Sequence, residues 1–363
     1  MHTQGLLQYV LKRINNMSRF FSSKFDKLTP YTPGEQPRDM QYVKLNTNES
    51  PFPPEKSIID AMAKAAARAN LYNDPECTVL REKAASLYGT GKNNVTCTNG
   101  SDEILYLAFN AFFDEVAFPD ITYGFYKVYA DVLGIKADIK PLNDDFTINV
   151  EDYIGIGKGI VLANPNAQTG IALSKKDIER IIASNPDNVV IIDEAYIDFG
   201  GESCVDLIDK YPNLLVTQTF SKSRCLAGAR IGFGIGDEAL IGDINTLRYS
   251  MNPYNVNTAT QWAAAAAIDD NAVYMDHCEV VKANRAYTVE KLEALGFDVL
   301  PSSSNFIFAK SDKLDGGYIY EELKKRGVLV RHFTDERMKD HIRVTIGTKE
   351  QMDIFIGKVE ELL

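Results

Sequence analysis

The stretch LLVTQTFSKSRCLAGARIGFGIG, residues 214–236, contains two apolar segments separated by a run of small and polar residues. The first segment ends at Ser221-Lys222, and Arg230 stands at the start of the second. Short apolar runs bounded by turn-forming residues are typical of buried strands. The stretch therefore predicts two strands with a lysine at the end of the first, a setting that a solvent-facing lysine does not need.

Apolar runs of this kind alternate with helical stretches over most of the chain. Short buried strands separated by helices indicate a largely parallel sheet covered on both faces. In such a sheet, ligands bind beyond the carboxyl ends of the strands. The apolar runs lie at residues 94–98, 115–118, 159–163, 188–193, 214–220 and 230–236. Helices are predicted at residues 55–68, 78–88, 102–113, 124–133 and 175–183.

The last third of the chain has a different pattern. A long alanine-rich helical region at residues 258–295 is followed by short apolar runs and two further helices, at 318–326 and 349–363. We therefore expect an α/β protein, with a large α/β/α domain around a mostly parallel sheet and a smaller α+β C-terminal domain. The predicted units are an N-terminal helix or arm at 1–45 that joins the small domain, a large domain at 46–260 and a small domain at 261–363.

Composition narrows the class of protein. With 363 residues, the chain is long enough for two domains with a substantial core. Its net charge of −11 argues against a nucleic-acid partner, because phosphate backbones require basic surfaces. No apolar run approaches the roughly 20 residues that cross a bilayer, so no membrane partner is expected. Five scattered cysteines without a CxxC pair favour reduced thiols in a cytoplasm, and four histidines show no metal-ligand spacing.

The first 25 residues have apolar side chains near helical spacing, and every charge before Asp26 is positive. This pattern favours an amphipathic arm that packs on the body of the protein or on a partner subunit. A transit peptide or a membrane-surface helix would share it. Met17 would also begin a shorter product, so the sequence is compatible with two start sites.

Three of the predicted strands end at residues that are suited to ligand binding, and each of these sites has two interpretations. Gly100 makes a turn that would present backbone N–H groups to a phosphate, although Ser101 would equally serve as an ordinary helix cap. Asp193 is either a desolvated acid with a cationic partner or a solvent-facing one. Lys222 is either a nucleophile toward carbonyls or a solvated lysine. Their order along the chain favours the functional interpretation, because a lysine, an aspartate and a phosphate cup are what pyridoxal phosphate requires.

A set of short motifs covers the chain from residue 28 to its end. The motifs are LTPYTPG (28–34), KLNTNESPFPP (44–54), TNGSDEIL (98–105), DITYGFY (120–126), NPNAQTG (164–170), IDEAYIDF (192–199), TFSKSRCLAGARIGF (219–233) and IRVTIGT (342–348). Together they resemble the fold-type I pyridoxal-phosphate-dependent aminotransferases of class I and II. The first two motifs are most similar to those of family members that act on histidinol phosphate.

The resemblance implies a role for each residue around the cofactor ring. Lys222 would form a Schiff base with the cofactor and, once released by substrate, would move the proton. Asp193 would hold the pyridine nitrogen protonated, and Tyr196 would hydrogen-bond the 3′ oxygen. Tyr123 would stack on the ring face, unless it is an ordinary core or loop tyrosine. The small residues between Lys222 and Arg230 would let the chain turn so that both converge on one cofactor.

The resemblance also implies a cradle for the cofactor phosphate. Ser101 and Asp102 would contribute backbone amides after the turn at Gly100, and Ser221 and Arg230 would complete the cradle. A tyrosine of the neighbouring subunit reaches this phosphate in the family, and Tyr72 matches it. The resemblance therefore implies a homodimer with shared active sites.

For the substrates, the resemblance points to two arginines and three pocket residues. Arg343 matches the arginine that grips a carboxylate, or the phosphate that replaces it, and a guanidinium suits both anions. Arg331 matches a second anion-binding arginine, although either arginine would also suit a surface ion pair. Tyr31, Asn48 and Tyr254 match residues that line the substrate pocket, with Tyr254 coming from the partner subunit.

One motif departs from the family pattern. The family usually has NPNNPTG where this chain has NPNAQTG, so Ala167 and Gln168 replace an asparagine and a proline. The replaced asparagine normally contacts the 3′ oxygen of the cofactor. We expect Asn166 to be the substitute, and loss of the proline would loosen the turn.

The expected reaction is pyridoxal-phosphate-dependent transamination between L-histidinol phosphate and 2-oxoglutarate, giving imidazole-acetol phosphate and L-glutamate in histidine biosynthesis. An aromatic amino-acid aminotransferase or a threonine-phosphate decarboxylase would share most of the motifs, because a few pocket side chains decide the substrate. A non-catalytic cofactor-binding protein on the same fold is a further alternative. The joint presence of Lys222, Asp193, Arg230 and Arg343 argues against it.

Overall fold

A seven-stranded sheet forms the centre of the computed structural model, which describes residues 18–26 and 28–363. Its strand order is β2-β8-β7-β6-β5-β3-β4, and only β8 runs antiparallel to its neighbours. The predicted mostly parallel sheet is thereby confirmed. The strands are β2 (Val95–Thr98), β3 (Glu115–Pro119), β4 (Lys136–Lys140), β5 (Gly159–Ala163), β6 (Val190–Asp193), β7 (Leu214–Thr219) and β8 (Gly232–Gly236).

Helices cover both faces of this sheet. One apolar cluster joins Val161, Ile191 and Leu215 to helices α3 (Ser101–Phe112) and α4 (Phe125–Leu133). The other joins Ile160 and Ile192 to α2 (Thr78–Tyr88), α5 (Lys175–Ser184) and α7 (Thr258–Asp269). Successive residues of a strand point to opposite faces, so the sheet is buried on both sides. Two further helices of this part of the chain are α1 (Lys56–Ala66) and α6 (Glu238–Met251).

The C-terminal part is a four-stranded antiparallel sheet with helices, as expected for a smaller α+β unit. A separate parallel pair joins β1 (Val43–Lys44) to β11 (Val328–Leu329), so a segment from the start of the chain pairs with the C-terminal part. The remaining elements are α8 (Asn271–Ala294), β9 (Phe297–Val299), β10 (Phe306–Ser311), α9 (Gly316–Lys325), β12 (Arg331–His332), β13 (His341–Thr345) and α10 (Lys349–Glu360).

Four details of the secondary structure differ from the sequence prediction. The predicted long helical region at 258–295 is two helices, α7 and α8, with a break at Asp270. Strand β4 was not predicted, because its sequence KADIK is charged and lies at the sheet edge. Helix α6 was also not predicted. Three strands begin later than their predicted runs: β2 at Val95, β6 at Val190 and β8 at Gly232.

Most of the first 25 residues, for which an amphipathic arm was predicted, falls outside the described residues, as does the alternative start at Met17. Within the described part, Ser23–Phe25 forms one short 3-10 turn. No helix in residues 18–26 and 28–363 is both long and apolar enough to cross a bilayer.

Strand β8 packs directly against the start of α3. A Cβ atom at Gly232 would meet the backbone nitrogen of Ser101 and lie 2.8 Å from the carbonyl carbon of Gly100. Both groups are backbone and belong to the turn that begins α3, so neither moves aside without displacing the helix. Only a glycine at 232 lets strand and helix approach this closely.

We expect Gly232→Ala to lower the free energy of unfolding by about 1–3 kcal/mol, because the added methyl group pushes the α3 turn away from the sheet. Chemical denaturation of the purified protein measures this change. Gly228→Ala is the matched control, since a Cβ atom there meets nothing within 4 Å. Equal stability of the two variants would contradict the close packing of β8 on α3.

Candidate active site

A cavity of about 250 Å³ opens at the carboxyl ends of β5, β6 and β7. This is the edge at which parallel sheets bind ligands. Ala163 and Thr219, at the ends of β5 and β7, form part of its wall. Eight of the predicted site residues also line it: Ser101, Asp102, Tyr123, Asp193, Tyr196, Ser221, Lys222 and Arg230.

Lys222 follows β7 and extends its amine into this cavity. Its Nζ donates a hydrogen bond to the carbonyl oxygen of Thr47 at 3.2 Å and lies 5.6 Å from the centre of the Tyr196 ring. Within the described part of the chain, no carboxylate forms an ion pair with this amine. The amine is therefore held by a neutral acceptor beside an open space.

Asp193 ends β6 and is almost completely buried. Its Oδ2 accepts a hydrogen bond from the Tyr126 hydroxyl at 2.8 Å, and its Oδ1 accepts one from Thr217 at 3.2 Å. Burial raises the pKa of Asp193 to about 6, and these two hydrogen bonds oppose that rise. A carboxylate desolvated in this way is stabilised by a cationic group in the cavity.

Tyr126 is a site residue that sequence reasoning missed. It lies on α4 and is fully buried among apolar side chains, including Phe109 and Phe118. Its position in an apolar helix gave no signal beyond that of a core residue. Its hydroxyl contact with Asp193 becomes visible only when α4 is placed against β6.

The neighbouring acid, Glu194, is engaged away from the cavity. It accepts hydrogen bonds from the Cys204 backbone at 2.6 Å, the Ser203 hydroxyl at 2.7 Å and the Gln218 amide at 2.9 Å. Of the two adjacent carboxylates, only Asp193 therefore faces the cavity.

Tyr196 lines the cavity and is hydrogen-bonded to Asn48, which does not line it. The Asn48 amide donates to the Tyr196 hydroxyl oxygen at 3.1 Å, and Asn48 itself is tied to Thr345 of β13. Asn48 has a φ of 55°, a left-handed conformation that asparagine tolerates better than most residues. Because the Tyr196 oxygen accepts this bond, its own proton is free to be donated to another acceptor.

The first turn of α3 contacts Arg230 through the carboxylate of Asp102. Arg230 Nη2 lies 3.0 Å from Asp102 Oδ2, and the Tyr123 hydroxyl donates to Asp102 Oδ1 at 2.6 Å. Gly100 precedes the helix with a φ of 82°, and a Cβ atom there would lie 2.7 Å from Arg230 Nη2. The sequence predicted only backbone amides of Asp102 at this place, whereas the structure also puts its side chain there.

Arg343 lies on β13, is partly buried and has no carboxylate partner among the described residues. Its Nη1 donates to the carbonyl oxygen of Ala167 at 2.8 Å and to Gln168 Oε1 at 3.0 Å, while its Nε has no hydrogen-bond partner. The guanidinium also lies 5.1 Å and 5.4 Å from the ring centres of Phe306 and Phe333. Burial lowers the pKa of Arg343. A partly buried cation with these neutral neighbours suits an anionic ligand.

Arg331 lies directly opposite Arg343 in the ladder between β12 and β13. It donates to the carbonyl oxygens of Pro33 at 3.3 Å and Thr32 at 3.2 Å. Tyr31, in the same segment, stacks on Phe125 with ring centres 4.3 Å apart. The two predicted anion-binding arginines are therefore neighbours, next to the predicted pocket residue.

Eight predicted site residues do not line the cavity: Gly100, Tyr31, Asn48, Tyr72, Asn166, Tyr254, Arg331 and Arg343. Tyr72 and Tyr254 stack on each other at the surface, with ring centres 4.5 Å apart. The side chain of Asn166 is used within its own turn, where it accepts from the backbone of Gln168 and donates to the carbonyl oxygen of Ile121. Ala167 lines the cavity in its place.

The residues around the cavity fit pyridoxal phosphate. They include an amine for its aldehyde, a buried acid for its ring nitrogen, a tyrosine hydroxyl and an aromatic side chain. A helix N-terminus beside Arg230 is suited to its phosphate. No group of three or more metal-ligating side chains was found in residues 18–26 and 28–363.

Replacing Tyr126 by phenylalanine removes one of the two side-chain donors to Asp193. We expect the pKa of Asp193 to rise further, so the carboxylate is lost at a higher pH. As the pH is lowered, the affinity for the cofactor should then decrease at a pH about one unit higher than in the parent protein. Titration of the apoprotein with pyridoxal phosphate between pH 5 and 8 measures the shift.

Tyr153→Phe is the matched control for this experiment. Tyr153 is also fully buried, and its hydroxyl has no hydrogen-bond partner in the described structure. Its pH profile should coincide with that of the parent protein. An unshifted profile for Tyr126→Phe would mean that this hydroxyl does not control the charge of Asp193.

The chain matches the family described as Aminotransferase class I and II over residues 40–359. It is 47% identical over 352 residues to "Histidinol-phosphate aminotransferase" of Brachyspira hyodysenteriae, covering 96% of this chain and 99% of the relative. It is 48% identical over 353 residues to the protein of the same name from Marinomonas sp., covering 95% and 100%.

Solved structures give the same fold. A putative histidinol-phosphate aminotransferase from Erwinia carotovora atroseptica is 26% identical, with a TM-score of 0.82 over 88% of this chain and 96% of the other. Histidinol-phosphate aminotransferase from Sinorhizobium meliloti, solved with pyridoxal-5′-phosphate, has a TM-score of 0.86 over 96% and 100%. At 21% identity, the second similarity concerns the fold alone. The length and identity of the sequence matches place this chain in the class I and II aminotransferase family, among the histidinol-phosphate aminotransferases.

Proposed function

We propose that this protein transfers an amino group between L-histidinol phosphate and 2-oxoglutarate with pyridoxal phosphate as its cofactor, a step of histidine biosynthesis. The observation that carries the proposal is the shared cavity of Lys222, Asp193, Tyr196 and Arg230. The relatives that match nearly the whole chain support the same activity.

Bound pyridoxal phosphate would supply a carbonyl carbon that accepts the amino group and a ring that takes up electrons from the substrate. The amine of Lys222 would attach the cofactor. After the substrate amine displaces it, the same nitrogen would take the proton from the substrate Cα and return one during the reverse half of the cycle. Its only hydrogen bond in the described structure is to the carbonyl of Thr47, so few contacts need to break.

Asp193 and Tyr196 would hold two different atoms of the cofactor. Asp193 would keep the ring nitrogen protonated, and its hydrogen bonds from Tyr126 and Thr217 stabilise the charged carboxylate that this requires. Tyr196 would donate its hydroxyl proton to the 3′ oxygen, because Asn48 already donates to the Tyr196 oxygen. Ala167 lacks a polar side chain, so Tyr196 would act there without the usual asparagine.

The cofactor phosphate would occupy the start of α3. The backbone N–H groups of Ser101 and Asp102 begin a twelve-residue helix, and helix N-termini favour anions. Arg230 would bind the phosphate from the other side. Its present contact with Asp102 is exposed to solvent, and exposed ion pairs contribute little, so an incoming phosphate can compete for the guanidinium.

The two substrates share negative charge, and the arginines would recognise it. Histidinol phosphate carries a phosphate group and 2-oxoglutarate carries two carboxylates, and a guanidinium binds either kind of anion. Arg343 and Arg331 face each other across β12 and β13. A single pair of arginines would thus serve both halves of the reaction.

A half-reaction titration tests this function. The protein loaded with pyridoxal phosphate is mixed with L-histidinol phosphate, without a keto acid, while the absorbance of the cofactor is followed. We expect conversion to the pyridoxamine form at a much lower concentration of histidinol phosphate than of phenylalanine, and no conversion by Lys222→Ala. Conversion by phenylalanine alone would identify an aromatic aminotransferase, whereas release of carbon dioxide from threonine phosphate would identify a decarboxylase.

We propose that the protein is a homodimer with shared active sites. Tyr72 and Tyr254 are 84% and 44% exposed in the single chain, although both are large aromatic residues. Leu71 and Met251 add to the exposed apolar surface around them. In the proposed dimer, Tyr72 and Tyr254 would reach the cavity of the partner subunit, which explains why neither lines the cavity of its own chain.

Mixed dimers test this proposal. Neither Lys222→Ala nor Tyr72→Ala would be active alone, but a mixed dimer would contain one intact site. After the two proteins are unfolded together and refolded, random pairing should restore about a quarter of the parent activity. A mixture of Lys222→Ala with Asp193→Ala should stay inactive, because both residues belong to one chain's site. Absence of restoration in the first mixture would contradict the exchange of Tyr72.

We propose a cytoplasmic location for the protein. The cysteines are all free in the structure, and four of them are buried: Cys77, Cys97, Cys204 and Cys278. Buried free thiols are typical of proteins from reducing compartments.

We also propose that residues 1–45, 46–260 and 261–363 act as arm, cofactor domain and substrate-closing domain. The pairing of β1 with β11 supports an arm that belongs with the C-terminal part. The presence of Arg331 and Arg343 in the C-terminal sheet supports its role in covering the substrate.

A further inference from the structure

Gln168 connects three parts of the molecule near the cavity. Its Oε1 accepts a hydrogen bond from Arg343 Nη1 at 3.0 Å, and its Nε2 donates to the carbonyl oxygen of Thr122 at 3.2 Å. Its backbone N–H donates to the Asn166 side chain at 2.8 Å. A proline at this position would have neither the side-chain amide nor the backbone donor.

The contact with Gln168 fixes the guanidinium of Arg343 without cancelling its charge. Both acceptors of Nη1, the carbonyl of Ala167 and the amide of Gln168, are neutral. The described residues give Arg343 no carboxylate partner, and Nε is buried without any acceptor. The guanidinium is planar, so the two hydrogen bonds made by Nη1 fix the orientation of the whole group. The N–H of Nε therefore points in a fixed direction.

The same amide also joins the C-terminal sheet to the central one. Arg343 belongs to β13, whereas Thr122 directly precedes Tyr123, which lines the cavity. Gln168 therefore fixes the position of Arg343 relative to the wall of the cavity. Asn166 supports this arrangement, because its side chain holds the backbone of Gln168 and the carbonyl of Ile121.

We propose that Gln168 is a positioning residue that orients Arg343 for the anionic group of the substrate while leaving the guanidinium charge uncompensated. The proposal rests on the proposed function only in taking Arg343 as the residue that binds this anion. It assigns a role to one of the two residues by which the motif NPNAQTG departs from the family pattern. A glutamate at 168 would form an ion pair with Arg343 and compete with the substrate, so the neutrality of the amide is part of the role.

Two substitutions separate orientation from charge. Gln168→Met keeps the length of the side chain but removes the acceptor, and Gln168→Glu keeps the acceptor but adds a negative charge. In the loaded enzyme we expect Gln168→Met to raise KM for histidinol phosphate and 2-oxoglutarate roughly fivefold, with kcat within about twofold of the parent value. Gln168→Glu should raise both KM values roughly 100-fold.

A binding measurement that needs no turnover accompanies the kinetics. Inorganic phosphate is titrated into the pyridoxal-phosphate-loaded protein by calorimetry, and its dissociation constant should increase in the same order, from parent to Gln168→Met to Gln168→Glu. Gln351→Met is the matched control. Gln351 also uses its amide oxygen, accepting from Thr348 at the start of α10, so its loss affects helix stability and should leave phosphate binding unchanged.

The outcomes distinguish the two proposals. Unchanged phosphate binding and KM in both Gln168 variants would overturn the positioning role, as would a fall in kcat with KM unchanged. If the parent protein does not turn over histidinol phosphate, the proposed function fails, yet the phosphate titrations still decide the role of Gln168. If Gln168→Glu does not fold, the comparison of Gln168→Met with Gln351→Met still provides the test.

Discussion

Burial of the central sheet on both faces is the constraint on which the rest of the structure depends. The middle strands β5, β6 and β7 alternate between two apolar clusters and leave no face for a charged group. Polar side chains on these strands are tolerated only at the ends, where hydrogen bonds can be supplied. Asp193 and Lys222 are therefore brought to the same edge by the requirements of the core, and the cavity lies at that edge.

The charges around the cavity are arranged so that each is held by neutral donors or acceptors. Asp193 is held by two hydroxyl groups, Lys222 by one carbonyl, and Arg343 by a carbonyl and an amide. Neutral partners fix the direction of a charged group while leaving its charge available for a ligand. There are two exceptions. Arg230 is paired with Asp102, where solvent weakens the pair, and Glu49 is paired with Lys44.

Most of the fold and many of the site residues could be predicted from the sequence. Strand β5 and helix α2 match their predicted bounds, since apolar runs and helical spacing are local signals. The edge strand β4 gave no such signal, because three of its five residues are charged and none of the five is fully buried. Contacts between segments far apart in the chain could not be predicted from the sequence either. Tyr126 meets Asp193 only through the packing of α4, and Gln168 meets Arg343 only because two sheets come together.

The segment that leaves β1 ties the chemistry of Lys222 to the C-terminal sheet. Leu45 bonds to both Leu329 and Thr345, and Thr345 also holds Asn48. Between these anchors, the carbonyl of Thr47 accepts the hydrogen bond from Lys222. This short segment therefore couples the C-terminal sheet to Lys222. If that sheet moves relative to the central one, the backbone between Leu45 and Asn48 moves with it, and so does the carbonyl that accepts the hydrogen bond from Lys222. An anion that draws Arg343 inward would thus act on the amine through the backbone, without touching it.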